Sequence, residues 1–349
     1  MLVFDSLMAR MWDDRSSDML LTVGEAPVIR TNGSLVRHGE VRLTADDFNG
    51  LLSKLLVGDA AWAEFEAGRE VDFSFSWQDR ARIRGNAFVQ RGNPAVALRM
   101  LGFSIPSFDE LRVPYAVRDM AGIRQGLVFV TGPTGSGKST TLASMIDWVN
   151  RNRAVHIVTI EDPIEYMHLN HRAVVSQREV GLDTESFPAA LRNALREDPD
   201  VILVGEMRDL ESIRFALTLA ETGHLVLSTL HTNDATQAID RMVDVFPGDQ
   251  QPQIRVQLSN ALTGVVYQRL IPRRGGRGVV PAHEVLVATS AIRNLIREGR
   301  TSQLRSQLQM TQRDGSQTFE SSLSALVREG VVDLATAQSF TPHPKEVTA

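Results

Sequence analysis

Nine residues, Gly132 to Thr140, read "GPTGSGKST" and fit G-x-x-x-x-G-K-[ST] through Gly132, Gly137, Lys138 and Ser139. The glycines let the backbone wrap until consecutive N–H groups and the start of a helix face one point, which suits phosphate oxygens. The cradle is read as Gly132, Pro133, Thr134, Gly135, Ser136, Gly137, Lys138, Ser139 and Thr140. In it Lys138 reaches the β- and γ-phosphates of ATP, and the Ser139 hydroxyl ligates Mg²⁺. An apolar run, "GLVFVTG", precedes the loop and a helically spaced one, "STTLASMIDWV", follows it.

Hydrolysis also needs a carboxylate to position or deprotonate water, and parallel sheets present such groups at strand C-termini. "TIEDPIE" offers Glu161, Asp162 and Glu165, and "VILVGEMRD" offers Glu206 and Asp209. Each acid taken singly reads equally well as a solvated strand end or a helix cap. "VILVGE" resembles a Walker B strand that ends in Gly-Glu where many phosphate-loop enzymes have Asp. Glu206 is therefore expected to hold Mg²⁺ through water or to orient the nucleophile. In "ETGHLVLSTLHT", His231 lies at the C-terminal end of a strand, where a γ-phosphate could be sensed. His224 lies at its start, where a structural or helix-capping role is equally open, and the spacing puts the two histidines on opposite faces.

The elements that must carry these groups fall into two regions. From Asp18 to about Arg112 strands and helices mix: Asn32-Gly33 is a hairpin signal, Thr44 and Asp47 fit a capping box, and "VDFSFSW" and "ARIRGNAFV" alternate with period two. Beyond that, "GLVFVTG", "AVHIVTIE", "DVILVGE" and "HLVLSTL" are nearly continuous apolar runs separated by helical patterns, as in a parallel sheet covered on both faces. The last 70 or so residues read as mainly helical, ending in "TPHPKEVTA", a tail expected to be too polar to pack. The fold class is α/β, a phosphate-loop domain preceded by a small α+β domain.

Composition narrows the functions further. With 43% hydrophobic and 23% charged residues, the 349-residue chain reads as soluble and globular, with no membrane span or signal peptide, so the cytoplasm is expected. It has no cysteine, which removes disulfides, thiol catalysis and cysteine-ligated metal sites. A net charge of -5 without basic blocks argues against a nucleic-acid partner, and so against a DNA-handling ring ATPase.

"GPTGSGKSTT", "TIEDPIE", "ALREDPDVILVGEMRD", "AETGHLVLSTLHT", "DRMVDVFP" and "AIRNLIREG" resemble, in order and spacing, the motifs of the PilT family, the type IV pilus retraction ATPases of the secretion and traffic ATPase superfamily. The resemblance implies a PAS-like N-terminal domain (1–104), a linker (105–116), a RecA-like ATPase core (117–288) and a C-terminal helical region with a disordered tail (289–349). It implies a homo-oligomeric ring, commonly hexameric, binding ATP and Mg²⁺ and driving pilin disassembly and twitching motility from the cytoplasmic face of the inner membrane. A membrane platform protein and a second retraction ATPase are the implied partners. By motif position Glu165 becomes the general base, Glu206 the Walker B glutamate, and His224 and His231 the histidine-box pair. The N-terminal domain is implied to add arginines, for which "ARIRGNAF" and "VALRML" offer Arg82, Arg84 and Arg99.

Pilus assembly and type II secretion ATPases are the alternative within the superfamily. They usually carry a further N-terminal domain and a cysteine-rich zinc insertion, so this chain fits the retraction branch better. "SAIRNLIREGR" supports that branch and also reads as an amphipathic helix with Ser290 as N-cap, Gly299 as terminator and an apolar stripe of Ile292, Leu295 and Ile296. Its Arg293, Asn294, Arg297 and Glu298 are expected to be exposed and available for coupling.

Overall fold

A computed structural model describes residues 4–14, 16–31, 34–40, 42–56, 59–78, 80–101, 104–207, 209–276 and 278–349. Its contacts divide the chain into an N-terminal unit, Met1–Ser104 with Glu165–Met167, and a C-terminal unit, Ile105–Ile164 with His168–Ala349.

The N-terminal unit runs α1 (Phe4–Asp13), β1 (Asp18–Thr22), β2 (Val28–Thr31), β3 (Ser34–Arg37), α2 (Ala45–Leu55), α3 (Asp59–Glu66), β4 (Val71–Trp77), β5 (Ala81–Gln90) and β6 (Asn93–Leu101). The strands form one antiparallel sheet in the order β3-β2-β1-β6-β5-β4. Alternation along β5 buries Ala81, Ile83 and Ala87 against Phe48, Leu52 and the methionines of α1, and turns Arg82, Arg84 and Asn86 to the other face. Thr44 and Asp47 close the expected capping box at the start of α2. The Asn32-Gly33 turn lies outside the described residues.

The C-terminal unit continues with α4 (Tyr115–Gly122), β7 (Gly126–Thr131), α5 (Lys138–Asn152), β8 (His156–Glu161), β9 (Val174–Glu179), α6 (Phe187–Ala194), β10 (Val201–Val204), α7 (Leu210–Glu221), β11 (Leu225–Leu230), α8 (Ala235–Asp244), α9 (Gln251–Ala261), β12 (Leu262–Pro272), β13 (Val279–Val287), α10 (Ser290–Glu298), α11 (Leu304–Met310), α12 (Phe319–Arg328) and α13 (Leu334–Ser339). The sheet order is β13-β12-β7-β11-β10-β8-β9, parallel except for β13. Along β7, Leu127 and Phe129 enter one core with α6 to α13, while Val128 and Val130 enter another with α4 and α5. Both faces are covered, which is why the strands read as unbroken apolar runs. No helix among the described residues is long and apolar enough to cross a membrane.

The stretch 105–116, read as a linker, buries Phe108 and Val113 against α4 and α5. In the C-terminal helical region Ile292, Leu308 and Leu323 share the core of the sheet. The expectation that changes is the tail. The tail packs: Val347 is 3% exposed, the Thr348 N–H donates to Ser324 Oγ, and Arg305 bridges Glu346 and Glu320. One buried valine and a few specific hydrogen bonds seat a segment whose average composition is polar.

Candidate nucleotide site

β7 ends at Thr131, and two glycines of the loop that follows are crowded by Gln268. Gly132 and Gly137 adopt φ of +146° and +86°. A Cβ on Gly132 would stand 2.3 Å from the Gln268 carbonyl oxygen, and one on Gly137 would stand 2.9 Å from Gln268 Nε2. Glycine is required at both positions by conformation and by space. Helix α5 then starts at Lys138 with Gly137 as N-cap and no side chain capping it, and a helix N-terminus suits an anion. The buried Lys138 ammonium donates to the carbonyls of Gly132 (2.9 Å) and Pro133 (3.0 Å) across the loop. Phosphate oxygens would replace these neutral acceptors with charged ones, and charge-assisted bonds are stronger. Ser136 Oγ is buried without a hydrogen-bond partner among the described residues. An orphaned hydroxyl inside a cradle that a Cβ would fill fits a phosphate chain.

The parallel strands bring the other groups to the same edge. β8 ends at Glu161, β10 leads through Gly205 to Glu206, and β11 leads directly to His231. The Gly205 N–H donates to the Ile160 carbonyl (2.8 Å), tying Glu206 to the end of β8. His231 Nε2 stands 3.8 Å from Glu206 Oε2. No cluster of three or more His, Asp or Glu among the described residues could hold a metal alone.

The three acids of "TIEDPIE" separate by their partners. Glu161 accepts from Thr159 Oγ1 (2.7 Å) and Gln177 Nε2 (3.2 Å), so its carboxylate braces the strand end. Asp162 and Glu165 are exposed. The loop between them is anchored by the buried Glu179 of β9, whose Oε2 accepts the Ile164 N–H (3.2 Å). Gln177 Oε1 accepts the His168 N–H, and burial pushes the His168 imidazole down to about 4, with Asp147 opposing, so it is neutral near pH 7.

His224 lies before the first residue of β11, at the sheet edge opposite the phosphate loop, and its Nδ1 meets the Leu219 carbonyl (2.9 Å) and Thr222 Oγ1 (3.2 Å) at the end of α7. It satisfies a helix terminus and takes no place beside this chain's phosphate cradle. Among the arginines, Arg82 is held by Ser74 and Ser76, whereas Arg84 and Arg99 stand opposite each other on β5 and β6, both exposed. They line a cleft of about 260 Å³ with Asp18 and Asp72. Asp18 is pulled up by burial, but hydrogen bonds from Ser17 and Arg99 and the charges of Arg99 and Arg30 outweigh this and hold it below the usual carboxylate range.

The sequence reading missed Glu179 and Gln268. Both act through backbone groups brought near by the sheet, and β12, which carries Gln268, was not recognised as a strand. An alternating run that borders a phosphate-loop region would have been the available signal.

Comparison with known proteins follows this geometry. A family described as "Type II/IV secretion system protein" matches residues 114–339. The Pseudomonas aeruginosa protein described as "Type IV pilus retractation ATPase PilT" is 45% identical over 330 residues, 95% of each chain. The Neisseria gonorrhoeae "Twitching motility protein" is 44% identical over 324 residues, 91% of this chain and 86% of the other. A crystal structure of the pilus retraction motor PilT with bound ADP superposes with a TM-score of 0.91 at 46% identity, covering 99% of both chains.

Proposed function

Because the chain belongs to the PilT family of type IV pilus retraction ATPases, we propose that it works as a homo-oligomeric ring, hexameric in form, that hydrolyses ATP with Mg²⁺ at the Gly132–Thr140 loop and spends the energy on pilin removal. The observation that carries this reading is the cradle: two glycines with no space for a Cβ, a buried lysine across the mouth, and Glu206 and His231 on the same sheet edge. Ser139 and Glu206 would hold Mg²⁺, which would supply positive charge against the phosphates.

Lys138 exchanges its two carbonyls for β- and γ-phosphate oxygens and follows the charge that grows between them. Glu165 acts as general base on the attacking water and Glu206 orients it, while His231 beside Glu206 senses the γ-phosphate. Arg84 and Arg99 of a neighbouring copy meet transition-state charge, which accounts for two like charges placed side by side and exposed. The partners are a pilus platform protein at the cytoplasmic face of the inner membrane and a second retraction ATPase.

The test is phosphate release by the purified chain and by Lys138→Ala, with pili counted on cells lacking the gene. The reading requires turnover in the parent, loss of at least 10²-fold in Lys138→Ala, and more surface pili in the deletion strain. Parental turnover in the variant, or cells without pili, would contradict it.

A further inference from the structure

Gln268 occupies a position that no motif marks. Its side chain is 3% exposed and both ends of its amide are engaged: Nε2 donates to the Ser136 carbonyl (2.7 Å), and Oε1 accepts from Thr141 Oγ1 (2.7 Å) on α5. The orientation of the amide is unambiguous, because a backbone carbonyl can only accept and a flipped amide would set oxygen against oxygen. Ser136 and Gly137 share one planar trans peptide, in which C=O and N–H point in opposite directions. Binding the Ser136 carbonyl to Gln268 therefore turns the Gly137 N–H away from Gln268, out of the packed interior.

We propose that Gln268 is a positioning residue for the phosphate loop: it fixes the Ser136–Gly137 peptide so that the Gly137 N–H is aimed at phosphate before ATP arrives, with Thr141 locking the amide in its working orientation. The inference rests on the reading that this loop binds ATP. Without the bond the flexible glycine peptide can rotate, and its carbonyl would face the phosphates. The lack of room at Gly132 and Gly137 has the same origin, since both glycines lie against Gln268. β12, the neighbour of β7 in the sheet, thus supplies a constraint that the loop sequence cannot supply itself.

The experiment measures ATP affinity by displacement of a fluorescent ATP analogue, steady-state KM and kcat, and thermal melting, in the full chain. Gln268→Met keeps the volume and removes both hydrogen bonds; Kd and KM should rise about ten-fold while kcat at saturating ATP stays within about three-fold. Thr141→Val should weaken binding about three-fold, and Thr141→Ser, which retains the hydroxyl, should match the parent. The Thr141 pair keeps the test decisive if Gln268→Met unfolds. Parental affinity in a folded Gln268→Met, a fall in kcat with KM unchanged, or equal behaviour of Thr141→Val and Thr141→Ser would overturn the proposal. Failure of the parent to bind ATP would instead remove the reading of the loop on which it rests.

Discussion

Arg99 in the N-terminal unit and Arg293 in the C-terminal unit place the same guanidinium in opposite circumstances. Arg99 is 64% exposed and touches Asp18 at 2.8 Å on an open strand face, with Arg84 opposite. Arg293 is half-buried, and its guanidinium donates to the carbonyls of Ala288 (2.9 Å), Ser259 (2.6 Å) and Asn260 (2.7 Å), tying α10 to the end of α9. The contrast extends to the regions around them. Polar groups of the C-terminal unit such as Lys138, Gln268 and Glu179 are buried and hydrogen-bonded within it, whereas Arg84 and Arg99 lie exposed on a cleft that Asp18 and Asp72 also line. Engaged groups should reveal themselves in stability and open groups in catalysis.

The largest effect should come from the open face. Arg84→Ala or Arg99→Ala should melt as the parent does, because exposed ion pairs contribute little, yet lower kcat by about 10³ with ATP binding retained. A kcat within two-fold of the parent in both would break the comparison.

Arg293 sharpens it from the other side. The expectation that its charge is available for coupling does not hold, because the last carbonyls of α9 already use it. Arg293→Ala should cost about 1–3 kcal/mol of stability, seen as a melting point several degrees lower, with kcat at 25 °C unchanged. Arg297 on the same helix is exposed, and Arg297→Ala should stay within about 0.5 kcal/mol of the parent. Equal melting of the two variants would contradict the division.

The smallest effect is one of sign with pH. Burial pushes Glu284 up to about 7, against the Ala235 N–H and with Asp234 and Glu320 adding to the rise. Its protonated form is favoured in the fold, so its contribution is present below the ordinary value and is lost as pH rises through about 7. Asp18, held below its ordinary value, contributes above it and loses that contribution as pH falls. Glu284→Gln should therefore gain roughly 3 °C in melting temperature at pH 8 and little at pH 4.5. The same gain at both values would show that packing, and not charge, is responsible.

How far the sequence could be read follows from where each constraint arises. The loop was legible because its glycines answer a local backbone demand, and β7, β8, β10 and β11 because burial on both faces leaves an apolar run. β12 and β13 escaped because "LTGVVYQRLIP" and "VVPAHEVLV" mix glycine, proline and polar residues whose partners come from α5, α8 and α12. The stripe of α10 was read correctly, with Ile292 and Ile296 fully buried, but its N-cap is Thr289 rather than Ser290. Arg293 could not be assigned from that helix alone, since its acceptors lie about 30 residues earlier on α9. Glu161 and Glu165 look alike in "TIEDPIE", and only the bonds from Thr159 and Gln177 distinguish the bracing acid from the exposed one.

The central claim is that the open arginines of one copy serve the phosphate loop of another. It is tested most directly by mixing Arg99→Ala with Glu165→Ala, each nearly inactive alone, under conditions where subunits exchange, and measuring phosphate release across several ratios. The account predicts that activity returns in the mixtures and is greatest near equal proportions, because only mixed rings contain interfaces with both groups intact. Phosphate release that never exceeds the sum of the two separate variants at any ratio would contradict it.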